Sequence, residues 1–433
     1  MLYKCRPSIR SCNIMFQQYN SSVQPTIEAM KGSQILEIVA EVRSLESKGI
    51  QICNLTIGDF HPEQFSIPEG FLEQVVASYS RKETNYPPSS GVQELREAIA
   101  IHYRNEFGLD CDSSWVCIGS GARPPIYAAW KMFVGENEQS VSFLPAWNIG
   151  YYSQLNRSNH IFLPTTKESN FHPTVEQVEE ILPNTQLLII NTPLNPTGTM
   201  ISEDVLRGIC EAIVRENQKR TTRPVMLMFD HVYWMLSHGE HKHQIPSVLV
   251  PEVAPYVVYI DALSKNFTAT GLRVGWAILH PSLQPKMTTL LAHMGAWASR
   301  PEQRATAWLL SNPDHYSRYR EQLCAGVQDR LDTLYGAINA LHEKGYPIYA
   351  IPPQGAIYLS VCFDLVGKGF ASNEEIRSWI LQEARVAIVP FQAFDMKENT
   401  GWFRLSVGTS SVQQLQDAMY RIELALESWE KNR

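Results

Sequence analysis

The chain of 433 residues is 44% hydrophobic and 19% charged, with a formal net charge of −7. That supports one large core, or a large and a small one, and length alone suggests two or three domains. The acidic balance argues against nucleic acid or an anionic membrane as partner, since both reward clustered Lys and Arg, and leaves a small-molecule ligand as the better expectation. No apolar run reaches the roughly 18 residues of a membrane-crossing helix. The eight cysteines are scattered, with no C-x-x-C pair and no His cluster at metal-ligand spacing. They read as reduced thiols in a cytoplasmic protein without a metal site.

Along the chain, residues 1–27 contain Lys4, Arg6 and Arg10 and no acid. Such a segment fits a disordered tail, an organelle presequence, or an upstream start with Met15 as the natural first residue. The spacing of apolar residues predicts a helix over 34–49, in a segment, 28–60, expected to pack on a small C-terminal domain. A large domain is expected over 61–300 and the small one over 301–433.

Six short apolar runs read as strands: 115-WVCI-118, 140-SVSFL-144, 187-LLII-190, 225-VMLMF-229, 257-VVYI-260 and 274-VGWAIL-279. Most are uninterrupted rather than alternating, as strands buried on both faces of a parallel sheet would be. Between them, 202-SEDVLRGICEAIVREN-217 opens on a capping serine and repeats apolar residues at helical spacing. The fold class is therefore α/β, with a doubly wound, mostly parallel sheet. After residue 300, helical periodicity, the apolar 386-VAIVP-390 and a last amphipathic helix predict a smaller α+β unit.

Ligands of open α/β sheets bind beyond the carboxyl ends of the strands, so the residues that follow each run carry the functional reading. After the first comes "GSGARPPIY", where Pro124 and Pro125 fall in the first turn of a helix and the amides of Gly121, Ala122 and Arg123 could face an anion. An ordinary strand-to-helix turn explains it equally well. After the second comes Trp147, which a plain core tryptophan would also explain. After the third, "NTPLNPTGT" presents Asn195. After the fourth, Asp230 follows five apolar residues and Tyr233 lies three further on; a buried carboxylate there needs a partner to stay ionised. After the fifth, "DALSKNFTATGLRVGW" holds Ser264, Lys265 and Arg273 among residues too small to cover them. A solvated turn is the bland alternative. Together these positions gather an amide, a carboxylate, a phenol, a lysine, an arginine and an anion-binding turn on one sheet edge.

At these residues the sequence resembles the fold type I pyridoxal-phosphate (PLP) enzymes, specifically aminotransferases of class I/II, aspartate-aminotransferase type. "NTPLNPTG", "D-x-x-Y", "S-K-x-F-x-x-x-G-x-R-x-G-W", "PxGAxY" and "FRLS" occur in the family's order, from about residue 54 to the C-terminus, with "LTIGD" and "NYPPSSGVQELREAIA" similar to its entry segments. The resemblance implies that family's fold, with a seven-stranded sheet in the large domain, and PLP as cofactor. It implies transfer of an amino group between an L-amino acid and a 2-oxo acid by a ping-pong mechanism. It would make Lys265 the covalent attachment point and proton carrier, Asp230 the partner of the ring nitrogen, and Asn195 and Tyr233 donors to the ring's phenolic oxygen. Trp147 would stack on the ring, while Gly121, Ala122, Arg123, Ser264 and Arg273 would hold the phosphate, with Tyr86 reaching it from the other subunit of a homodimer. Arg404 would take the substrate α-carboxylate and Gly58 would leave room above it. An aspartate- or glutamate-type donor is the expectation, with an aromatic one close behind. A PLP lyase or cyclase of the same fold, and a non-catalytic PLP-binding regulator, are the alternatives. The departures are His231, where many relatives carry an acid, "RPP" in the phosphate turn, and "PFQAF" at 390–394, which lacks a glycine often found there.

Overall fold

A computed structural model describes residues 23–30 and 32–432. The expectation of a tail falls mostly on residues outside these. In chain order the strands are β1 (Cys53–Asn54), β2 (Val116–Gly119), β3 (Gln139–Phe143), β4 (Asn159–Leu163), β5 (Thr185–Asn191), β6 (Met226–Asp230), β7 (Val257–Ala262), β8 (Gly275–Leu279), β9 (Ile348–Ala350), β10 (Tyr358–Phe363), β11 (Val386–Ala387), β12 (Val389–Pro390) and β13 (Trp402–Ser406).

Seven of them form one sheet in the order β2-β8-β7-β6-β5-β3-β4. β8 runs antiparallel to both of its neighbours and the other pairs are parallel. The uninterrupted apolar runs have the expected cause. In β5, β6 and β7, successive side chains enter opposite cores: Leu188, Leu227 and Tyr259 on one face, Leu187, Met228 and Val258 on the other. Helices cover both faces, so neither side chain of a pair meets water, and each fully buried aliphatic contributes about 1.5–3 kcal/mol. One strand escapes the sequence reading. β4 lies at the sheet edge, paired only with β3, and its residues are exposed or half-buried. "NHIFL" therefore carries little of the apolar signal that marked the others.

The helix predicted over 202–217 spans Glu203–Lys219, with the Ser202 hydroxyl accepting from the Val205 amide. A four-stranded antiparallel sheet, β12-β13-β10-β9, and helices Pro313–Glu343, Asn373–Glu383 and Val412–Lys431 make up the C-terminal part. The last of these helices starts on a capping box, Ser411 with Gln414. The early helix, Gln34–Glu46, buries Ile38 beside Phe391 and Trp402, and Val42 beside Leu381 and Ala387. An ion pair, Arg377 to Glu41 at 2.9 Å, flanks it. Residues Ser33–Arg433 form one unit; the short helix Pro25–Glu28 belongs to a separate one ending at Gly32. Among the described residues no helix is long and apolar enough to cross a membrane.

Candidate active site

Three strands of the main sheet deliver polar groups at their carboxyl ends. β5 ends at Asn191, β6 at Asp230, and β7 passes through Ala262 into the short helix Leu263–Asn266 that carries Lys265. Asn191 links two of these ends, donating from its side-chain amide to the Asp230 carbonyl (3.0 Å) and accepting from the Asn195 amide (2.9 Å). Past Asn195 the chain turns through Gly198 at φ +71°, where a β-carbon would meet the Tyr358 carbonyl oxygen at 2.0 Å. Only glycine lets this turn dock on β10.

The turn after β2 is equally tight. Gly121 has φ +85°, and a β-carbon there would lie 2.1 Å from the Arg273 guanidinium. One at Gly275 would lie 2.4 Å from the Gly121 backbone. The helix that follows is Arg123–Phe133, with Pro124 and Pro125 in its first turn. The Gly121 amide donates to the Gly119 carbonyl (2.8 Å). Arg273 donates to carbonyl oxygens, of Thr270 at 2.8 Å and Ser120 at 3.3 Å, and no described carboxylate forms an ion pair with it. The Arg123 side chain lies over the Trp147 indole, 4.8 Å from the ring centroid. Ser264 is half-buried beside Lys265.

Lys265 has no carboxylate in contact; its ammonium donates to the Gly58 carbonyl and sits 5.9 Å from the Tyr233 ring centroid. Burial lowers its pKa to about 8, with Asp59 opposing that shift and Arg404, Arg273 and Arg123 adding to it. Asp230 is buried, and its carboxylate accepts only the Val232 amide among the described residues, at 3.3 Å. Without a cation beside it, burial pushes its carboxyl up to about 7. It opens on a cleft lined also by Ser142, Trp147, His172 and Asn191.

Arg404, on β13, is 2% exposed. Its Nη1 donates to the Asn195 side chain (3.0 Å) and its Nη2 to the Thr56 carbonyl (2.5 Å), while its Nε has no partner. The guanidinium lies between the rings of Tyr358 and Phe394, 4.7 and 4.9 Å from their centroids. Phe394 of "PFQAF" thus supplies one aromatic wall to the guanidinium. The entry segment is stitched to the same strand: the Ser406 amide donates to the Leu55 carbonyl (2.9 Å) and its hydroxyl to that of Ile57 (2.7 Å). That fixes Gly58, whose β-carbon would fall 2.6 Å from the Tyr358 hydroxyl. Tyr86 lies on the surface, 79% exposed, its ring edge-on to Trp297.

His231 is the residue whose character the sequence left unexplained. Its Nε2 lies 2.9 Å from the Tyr103 hydroxyl and its Nδ1 3.1 Å from His243 Nε2. Tyr103 donates to Asp261 (2.9 Å), which also accepts from the Trp234 indole, the Asn266 side chain and the Ala262 amide. With its proton spent on Asp261, Tyr103 accepts from His231 Nε2–H, which leaves Nδ1 to accept from His243. A neutral histidine fits this chain, and burial holds the His231 pKa well below its ordinary value. Through Asn266 and Ala262, Asp261 braces the turn that bears Lys265 at both ends.

The arrangement fits PLP on its own terms. A buried carboxylate without a cation matches a protonated ring nitrogen, an arginine without an acid beside glycines that admit no β-carbon matches a phosphate, and a buried amine of lowered pKa matches a carbonyl. Comparison with known proteins agrees. The model of the family described as aminotransferase class I and II matches residues 50–422. The chain belongs to that family. This aminotransferase is 26% identical to the aspartate aminotransferase of Bacillus sp. (strain YM-2) over 402 residues, 92% of this chain and 97% of the relative. Its fold matches the aspartate aminotransferase of Thermus thermophilus with maleate, at a TM-score of 0.83 and 24% identity, covering 94% of this chain and all (100%) of that one. It also matches the aromatic aminotransferase of Pyrococcus horikoshii, at 0.79 and 23%, covering 90% and 99%. As a class I and II member the enzyme is PLP-dependent.

Proposed function

We propose that the aminotransferase binds PLP through Lys265, Asp230, Tyr233, Asn195, Trp147 and the cradle of Ala122, Arg123, Ser264 and Arg273. In this reading it takes the α-carboxylate of an L-amino acid on Arg404. When bound, PLP supplies the carbonyl that captures the amine and the electron sink that loosens its α-proton. The residues do the rest. Asp230 keeps the ring nitrogen protonated, and Tyr233 and Asn195 donate toward the ring oxygen. Lys265, once freed, moves the proton from the substrate α-carbon to the carbon that receives the nitrogen. The observation that carries the reading is Arg404, a fully buried guanidinium that no described carboxylate pairs, which is costly unless a ligand completes it.

A dicarboxylic donor is our first choice. Arg123 lies at the site over Trp147, and no described carboxylate forms an ion pair with it, so it can meet a second acid group. The aromatic wall of Trp147, Tyr358 and Phe394 supports an aromatic donor as the second reading. The deciding experiment is the absorption spectrum of the PLP-loaded enzyme with L-aspartate, L-glutamate, L-phenylalanine and L-alanine in turn. The visible band is expected to give way to the near-ultraviolet band of the amine form, fastest with a dicarboxylate, and to return with a 2-oxo acid. A band that no amino acid moves would sink transamination, and release of ammonia without an amino acceptor would favour a lyase.

The site is further proposed to be shared in a homodimer of the cytoplasm. Tyr86 is too exposed to serve its own subunit's interior, and Leu72, Val76 and Tyr79 line an exposed apolar stripe on the helix Phe71–Ser80. Sedimentation is expected to give a dimer, and Tyr86→Phe is expected to weaken PLP retention several-fold. A monomer with full activity would refute the shared site.

A further inference from the structure

Tyr358 lies on β10, remote in sequence from every strand-end residue, and besides its ring in the aromatic wall it brings a hydroxyl into the site. Its hydroxyl lies 2.5 Å from that of Tyr233, the two rings meet edge to face at 5.5 Å, and the residue is fully buried. The Arg404 guanidinium rests on its ring face at 4.7 Å. The Gly58 position, whose carbonyl holds Lys265, lies against its hydroxyl. Two phenols sharing one hydrogen bond have one donor between them, and the more acidic donates. The Arg404 cation on the face of Tyr358 stabilises negative charge on that ring more than on Tyr233, where the cation over the ring is the Lys265 ammonium, 5.9 Å from the centroid, and Arg404 acts without a described contact on the ring face. Tyr358 is therefore the donor and Tyr233 the acceptor. That leaves the proton of Tyr233 free to point elsewhere.

We infer that Tyr358 is a positioning residue for the cofactor: by donating to the Tyr233 oxygen it directs the Tyr233 proton toward the ring oxygen of PLP and strengthens that bond. The inference rests on the proposed role of Tyr233. A donor that itself accepts a hydrogen bond donates more strongly, by roughly 10–30% per bond in condensed phase. The consequence is a more stable ring-oxygen anion, and so a lower pH at which the lysine-bound cofactor loses its proton.

The test is a pH titration of the visible absorption of the PLP-loaded enzyme, compared among wild type, Tyr233→Phe, Tyr358→Phe and the double variant. Phenylalanine keeps the ring beneath Arg404, so only the hydroxyl is removed. Tyr358→Phe is expected to raise the midpoint by about half a pH unit and Tyr233→Phe by more. The double variant is expected to match Tyr233→Phe alone, because Tyr358 acts only through Tyr233. If Tyr233→Phe moves the midpoint and Tyr358→Phe does not, the inference fails while the reading of the site stands. If Tyr233→Phe leaves the midpoint where it was, the reading itself fails, and the inference with it. Additive shifts would place Tyr358 on a separate route and overturn the relay. Should Tyr358→Phe not fold, 3-fluorotyrosine at position 358, a more acidic phenol of nearly the same shape, is expected to lower the midpoint; no change or a rise would refute the inference.

Discussion

Lys265→Ala is expected to reduce transamination by at least ~10⁴-fold, because it removes a nucleophile and a proton carrier at once. The same change is expected to leave the fold intact. The lysine makes one hydrogen bond, to the Gly58 carbonyl, and no ion pair; what alanine removes is mainly a charge that the fold desolvates. Burial lowers the pKa of Lys265 from the ordinary 10.5 to about 8. Below pH 8 the folded and unfolded chains both carry the proton, and folding has to bury the charge. Between about 8 and 10.5 the unfolded chain holds more protons, so this group's contribution to stability improves as pH rises through that window. Two measurements follow from one property. In cofactor-free enzyme, competitive acylation of Lys265 is expected to show a midpoint near pH 8, and the alanine variant is expected to lose the rise in stability from 8 to 10.5. A lysine titrating near 10.5 would mean an ammonium open to water, and an alanine variant with normal turnover would remove Lys265 from the chemistry.

The difference between what was legible in the sequence and what was not follows from how each part is held. β5, β6 and β7 announce themselves because both faces are packed, and the residues that end them, Asp230 among them, could be placed at the sheet's functional edge from one rule about open sheets. β4 could not, since an edge strand open to water needs no apolar run. Lys265, Asn195 and Asp230 sit in local motifs whose spacing is itself informative. Tyr358, Asp59 and Phe394 do not. They reach the site from the C-terminal sheet, the entry segment and the loop before β13, and what gives them meaning is a contact made across hundreds of residues, such as Arg404 with Asn195, 209 positions apart. "PxGAxY", "LTIGD" and "PFQAF" marked the three segments, but a single sequence cannot say that the tyrosine of the first lies under Arg404. The direction of Arg123 was likewise a question of side-chain packing: in the structure its guanidinium finds the face of Trp147. His231, a departure when set beside relatives, becomes intelligible once Tyr103 and Asp261 are seen to need a neutral donor in that place.

Arg404→Lys is the second change with a large expected effect. The guanidinium uses two of its nitrogens to hold itself in place, Nη1 on Asn195 and Nη2 on Thr56, and is clamped between Tyr358 and Phe394. These anchors come from four different segments, so the fork is fixed before any substrate arrives. The Nε edge, buried and without a partner, completes a planar set of donors that matches a carboxylate. Lysine has one nitrogen on a flexible stem. It can satisfy Asn195 or Thr56 or the substrate, not all three, and it stacks less well on the two rings. Losing one charge-assisted hydrogen bond and part of the preorganisation corresponds to about 2–4 kcal/mol, or roughly a 30- to 1,000-fold rise in KM for every donor amino acid. That the rise should be common to aspartate and phenylalanine is the informative part, because Arg404 reads only the group all α-amino acids share. A rise confined to dicarboxylic donors would move Arg404 to the side-chain pocket and leave the α-carboxylate to Arg123. An unchanged KM would mean that the buried guanidinium is completed by something other than substrate.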